Sequence, residues 1–161
     1  MNLKSSAVAV VANEVPPRTV ASNYPHQFAA LFGGRVKKQL GNMFGLSNFG
    51  VNLTSLEPGS VSALRHAHSK QDEFVYILEG EATLLTDAGA TVMTPGMCAG
   101  FKAGTGDAHQ ISNRGTAKLV YLEVGDRTSG DSAIYPDDDI QAVLNSEGKW
   151  EFSRKNGERY F

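Results

Sequence analysis

HAHSKQDEFVYILEG, residues 66–80, carries the two patterns from which the rest of the chain is read. Its second half alternates. Phe74, Tyr76 and Leu78 share one parity, and Glu73, Val75 and Ile77 share the other, as successive side chains of a β-strand do. The Glu79-Gly80 pair then ends the run with a turn signal. Its first half places His66 and His68 two apart, so that in a strand both imidazoles project from one face, within reach of a single metal ion.

Short apolar runs of the same kind lie on both sides. Phe49, Val51 and Leu53 share a parity, Leu84, Val92 and Ile111 follow, and Leu119 and Tyr121 oppose Val120, Leu122 and Val124. Turn signals separate them at Glu57-Pro58-Gly59, Asp87-Ala88-Gly89, Pro95-Gly96 and Asn113-Arg114-Gly115. Short strands with frequent turns and no helical stretch between them predict an all-β sandwich or barrel. Several runs are apolar on both faces. One face fills an interior and the other calls for a second sheet or a partner chain, so a homodimer is expected.

The 161 residues suit a single domain, and 41% hydrophobic against 20% charged residues suits a packed core. Seventeen glycines favour many turns over a helical bundle. Fifteen basic and seventeen acidic side chains leave a net charge of −2, with no electrostatic footprint for nucleic acid or an anionic membrane. One cysteine, Cys98, excludes an internal disulfide and a multi-cysteine zinc site, and reads as a small reduced filler.

The organisation expected is an N-terminal arm or edge strand over 1–34, a barrel over 35–126 and a C-terminal extension packed on it over 127–161. The apolar run Ala7–Ala12 is shorter than a secretory core or the roughly 20 residues of a membrane span, which predicts a cytoplasmic protein. In the extension Trp150 and Phe152 alternate with polar residues as in one short strand. Asp137, Asp138 and Asp139 lack the closing glutamate of a calcium loop and are expected to cap a short helix.

His109 leads a further strand, 41 residues after His68. Three imidazoles and the Glu73 carboxylate make a mixed nitrogen and oxygen set suited to Mn, Fe, Co, Ni, Cu or Zn. Around them the order is Gly59, six residues, His66, one, His68, four, Glu73, six, Gly80. Then come Gly96, five residues, Lys102, one, Gly104, four, His109, three, Asn113.

This framework, over roughly residues 50–125, resembles the two motifs of the cupin superfamily, small double-stranded β-helix barrels of the jelly-roll type. The resemblance implies that His66, His68, Glu73 and His109 ligate one divalent transition metal, with a small-molecule ligand in the barrel. Three departures touch loop shape and leave the ligands in place. The first glycine stands one residue further from the histidine pair than usual, Lys102 replaces a usual proline, and the second-motif histidine follows its glycine after four residues.

Cupins include isomerases, epimerases, dioxygenases, decarboxylases and sugar-binding modules, so the fold leaves the chemistry open. The first reading is a metal-dependent isomerase of a sugar or sugar phosphate. The late stretch YLEVGDRTSGD, followed by YPDDDI, resembles the segment after the barrel of mannose-phosphate isomerase domains. Against it, Ser69 stands where those isomerases carry arginine, and a phosphate clamp is hard to assemble from Lys102 and the Arg35, Lys37, Lys38 stretch. The alternatives are a metal-dependent dioxygenase on a small diol or keto acid and a non-catalytic carbohydrate-binding module. Asp107, Glu123 and Lys102 are the candidate catalytic residues. Val75, Ile77 and Ile111 are expected to face the cavity, Tyr121 to be core and Arg65 to point away from the metal. The basic stretch is expected on a solvated face or a subunit contact, and His26 on the surface.

Overall fold

The structure, a computed structural model, describes residues 7–160. Its strands are β1 (Arg35–Gln39), β2 (Phe49–Leu56), β3 (Ala67–His68), β4 (Glu73–Glu79), β5 (Ala82–Thr86), β6 (Gly89–Met93), β7 (Cys98–Phe101), β8 (Gln110–Ser112) and β9 (Leu119–Asp126), then β10 (Ser132–Ile134), β11 (Gln141–Leu144) and β12 (Trp150–Ser153). They form three antiparallel sheets, ordered β1-β2-β9-β4-β7, β6-β5-β8 and β12-β11-β10-β3. This is the all-β jelly-roll barrel, with non-sequential neighbours such as β9 between β2 and β4. No helix among the described residues is long and apolar enough to cross a membrane.

The barrel's core is the inward parity of β4 and β9 facing β5 and β8. Val75, Ile77, Leu84, Ile111, Leu119 and Tyr121 are buried together with Leu56 and Met93. Gly80 is irreplaceable at the β4–β5 turn. Its φ is +76°, and a Cβ there would lie 2.4 Å from the Lys118 carbonyl oxygen.

The two ends of the chain build a second core. Phe32, Leu64, Ala133, Tyr135, Ile140 and Ala142 are buried, and Tyr24, Phe28, Trp150, Phe152 and Tyr160 pack around them. Tyr24 stacks on Phe32 with ring centroids 5.0 Å apart. This aromatic layer backs the strand that carries His66 and His68. The extension is made of strands. The turn at Asp137–Asp139 leads into β11 and not into a helix, because its carboxylates are already engaged: Asp137 pairs with Arg65, and Asp139 takes the Lys155 amide and Arg154.

Register assigns the faces of β1 and β2, and it corrects the solvated placement expected of the basic stretch. The apolar set Phe49, Val51 and Leu53 of β2 lies on the outer face, and Asn52, Thr54 and Leu56 lie on the inner one. The pairing of Asn52 with Glu123 and Thr54 with Tyr121 fixes this. Arg35 and Lys37 are likewise inward, since β1 pairs Lys37 with Thr54 and Arg35 with Leu56. The outer face of the large sheet is left apolar, with Phe49, Phe74, Tyr76 and Leu78 exposed. Cys98 is free and exposed on that face, opposite Tyr76, and so does not fill the core. The run Ala7–Ala12 forms an arm and no strand, and His26 is exposed at the start of a 3-10 helix, His26–Phe32.

Candidate metal centre and its cavity

His66 and His109 face each other across an antiparallel bridge, with backbone hydrogen bonds of 3.1 and 2.9 Å. His68 sits on β3, held against Ala133 of β10, and Glu73 is the first residue of β4. Their side chains converge. Glu73 Oε2 lies 2.9 Å from His109 Nε2, 3.4 Å from His66 Nε2 and 3.5 Å from His68 Nε2. The ligand atoms of His66, His68 and Glu73 all lie within 4.8 Å of one another. Phe101 stacks flat on His109 at 3.6 Å.

The outer nitrogens decide what this cluster can hold. His66 Nδ1 lies 2.7 Å from the Leu64 carbonyl oxygen, which only accepts, so Nδ1 carries the hydrogen and in the neutral ring Nε2 is a bare lone pair. His68 Nδ1 lies 2.6 Å from the Asp131 carboxylate, with the same consequence. Two lone pairs therefore face a carboxylate oxygen that is buried and has no hydrogen-bond donor. Electron-rich atoms so close together need a cation between them, and mixed imidazole and carboxylate donors suit a divalent transition metal. A proton on Nε2 can serve in the cation's place: burial raises the Glu73 carboxyl, but hydrogen bonds from protonated His109 and His66 hold it well below the ordinary carboxylate range.

The cluster opens into a cavity of about 570 Å³. The β-register shows why there is room. Glu73 pairs with Gly125, which pairs with Gly50, so on the β9 and β2 side the sheet row beside the carboxylate carries no side chain. Val75, Ile111, Tyr121 and Glu123 line the same space. Glu123 is fastened by one oxygen: Lys37 Nζ lies 2.7 Å, Thr54 Oγ1 3.0 Å and Asn52 Nδ2 3.2 Å from Oε1. Its Oε2 has no hydrogen-bond partner among the described residues.

Of the residues singled out from sequence, His66, His68, Glu73 and His109 are brought together, and Glu123 joins them in the cavity. Lys102 and Asp107 are placed outside it. Lys102 is exposed and pairs with Asp72 at 3.1 Å, and Asp107 accepts the Asp87 amide at 2.9 Å as a loop cap. Arg65 turns away from the cluster and bridges Asp87 and Asp137 at 2.6 and 2.8 Å. The residue that sequence reading missed is Asp131. It is fully buried and also accepts from Ser69 Oγ and the Lys70 amide at 3.1 and 2.8 Å. Sixty-three residues separate it from His68, and nothing local distinguishes it from the other acidic residues of the extension.

A double-stranded β-barrel with a three-histidine, one-carboxylate cluster at the mouth of an interior cavity defines a class of small-molecule proteins. A family model of the cupin domain matches residues 52–125. The chain is 42% identical to a sugar phosphate isomerase of the cupin superfamily from Silicibacter pomeroyi, with a TM-score of 0.87 over 94% of this chain and 95% of that one. It is 36% identical to a candidate sugar phosphate isomerase from Acidithiobacillus ferrooxidans, with a TM-score of 0.71 over 78% and 79% of the two chains. A polyketide cyclase from Streptomyces resistomycificus, 18% identical with a TM-score of 0.59 over 73% and 78%, shares the fold. No curated protein matches the sequence. The chain belongs to the cupin superfamily.

Proposed function

We propose that the protein is a metal-dependent isomerase of a sugar or sugar phosphate, with His66, His68, Glu73 and His109 as metal ligands and Glu123 as the base. The observation that carries this reading is one cavity holding both a cluster suited to a metal and a carboxylate with one oxygen anchored and one free. Similarity to the two isomerase-type cupins supports it. When bound, the metal would polarise adjacent carbonyl and hydroxyl oxygens and acidify the C–H beside the carbonyl.

The remaining work falls to side chains. Glu123 Oε2 takes the proton from that carbon, and the C–H electron pair becomes the C=C of an enediol. The same carboxyl returns the proton to the neighbouring carbon while a hydroxyl proton passes between the two oxygens. Nothing is oxidised or consumed overall. Lys37, Asn52 and Thr54 hold Oε1 so that Oε2 keeps its aim through both transfers. Val75 and Ile111 give the reacting carbons an apolar wall.

The test is exchange of substrate C–H with solvent deuterium, using metal-loaded protein and a panel of aldoses, ketoses and their phosphates. Glu123→Gln should lower exchange by about 10²–10⁴-fold while the metal stays bound. Oxygen uptake without exchange would replace the isomerase with a dioxygenase. Binding without either reaction would leave a carbohydrate-binding module.

A further inference from the structure

Four cations line the cavity, and only Lys37 has an ion-pair partner; the fourth, Arg127, donates instead to the Leu46 carbonyl and Asn42 Oδ1. Arg35 and Lys37 project inward from β1, and Arg18 comes from the arm. The arm is tied to β1 at that point. The Arg18 amide donates to the Lys37 carbonyl at 2.7 Å, and Lys38 Nζ donates to the Asn13 carbonyl on the other side of the strand. Lys37 is answered by Glu123. The Arg18 guanidinium makes only a long contact, 3.5 Å, to the Ala21 carbonyl. Arg35 donates to the Ser62 carbonyl and lies 4.6 Å over the Phe32 ring. Neither arginine is within ion-pair distance of a carboxylate among the described residues.

Partly buried cations without counter-ions are costly, and these press on one another. Burial pushes the Arg35 guanidinium down from its usual value, the more distant Glu123 carboxylate offsets only part of that, and Arg18 adds a smaller push in the same direction as burial. Such an arrangement is stable and useful when an anion arrives with the ligand. Two unanswered guanidiniums match a tetrahedral group that carries about −1.5 to −2 charge near pH 7 and several acceptor oxygens. The arginines come from β1 and the arm, and the cluster from β3, β4 and the His109 segment, so the two sets of groups reach one space from different elements.

We infer that Arg18 and Arg35 form a subsite for the phosphoryl group of a phosphorylated sugar, completed by the N-terminal arm. The inference rests on the isomerase reading for its sugar end and deepens it by choosing the phosphorylated substrate. It also supplies the clamp that was hard to assemble from Lys102 and the basic stretch alone.

The experiment is calorimetric titration of the metal-loaded protein with inorganic phosphate and with the sugar phosphate panel. Wild type is compared with Arg18→Gln, Arg35→Lys and, as an exposed-cation control, Lys118→Gln. Loss of one charge-assisted, bidentate contact should weaken phosphate binding by about 10- to 100-fold in Arg18→Gln, and Lys118→Gln should match wild type. Arg35→Lys keeps the charge and loses the fork, so a smaller loss is expected there, and thermal melting checks its fold. Unchanged affinity in both arginine variants would place phosphate on the metal and overturn the subsite, as would absence of phosphate and sugar phosphate binding to wild type. Phosphate binding lost in Arg18→Gln without deuterium exchange in any panel member would keep the subsite and retire the isomerase. Exchange of sugar phosphates with wild-type rate and affinity in both Arg18→Gln and Arg35→Lys would do the reverse.

Discussion

Asp131→Asn isolates the part of the site that acts through another residue. In the wild type the carboxylate accepts the His68 Nδ1 hydrogen at 2.6 Å, and its other oxygen accepts from the Lys70 amide and Ser69 Oγ. Asparagine keeps one carbonyl oxygen, which the Lys70 amide and Ser69 retain. Its amide nitrogen then faces His68 Nδ1 and can only donate. Nδ1 must give up its hydrogen, and the imidazole proton moves to Nε2, where the metal requires a lone pair. A lost outer-shell partner costs about 10- to 100-fold in metal affinity, or about 1.4–2.8 kcal/mol. Losing one buried charge-assisted hydrogen bond costs about 1.5–3 kcal/mol of stability, which lowers Tm by roughly 3–10 °C in a chain of this size. The assay is competitive chelator titration with Zn(II) and Mn(II), alongside melting of the metal-free protein. Ser69→Ala is the companion variant, because it removes an Asp131 contact without touching the histidine. It should cost stability and leave affinity unchanged. A folded Asp131→Asn that binds both metals within twofold of wild type would refute the tautomer argument.

Gly80→Ala should be among the most damaging single-methyl changes. The new Cβ meets the Lys118 carbonyl at 2.4 Å with φ at +76°, so a loss of about 2–4 kcal/mol is expected in urea unfolding. His66→Ala and His109→Ala should each lower metal content sharply after dialysis, and full occupancy in both would remove the site. Arg65 holds the Asp137 carboxyl below its ordinary value chiefly through a direct hydrogen bond. That depressed value adds stability at neutral pH which is lost as pH falls through the folded-state value. Arg65→Ala should therefore flatten the acid side of the stability profile, by no more than about 1 kcal/mol because Asp137 is exposed. The exposed Phe74 and Tyr76 face is where a homodimer would form, so Phe74→Lys should shift sedimentation toward monomer. A single unshifted monomer in wild type would dismiss that interface.

The strand alternation around residues 73–78, the turns at Gly59, Gly80 and Gly96, and the His66, His68, Glu73 and His109 spacing were all legible in one dimension. Each depends on a period of two or on a backbone angle that one residue permits. Glu123 was legible only as one of three possibilities, since parity left its face open and gave no choice between it, Lys102 and Asp107. Those two are set aside by a loop whose path no periodicity describes.

What the sequence by itself determined, then, is the barrel and the set of groups that can hold a metal. Which face of β1 and β2 looks inward was decided only by pairing with β9, because an amphipathic strand has no intrinsic inside. That choice turned Arg35 and Lys37 from a solvated stripe into cavity residues and left the apolar parity outside. Asp131 and Arg18 belong to the cavity for a similar reason. They come from opposite ends of the chain, and only packing of the arm and the extension around the barrel brings them within reach of its histidines and cations.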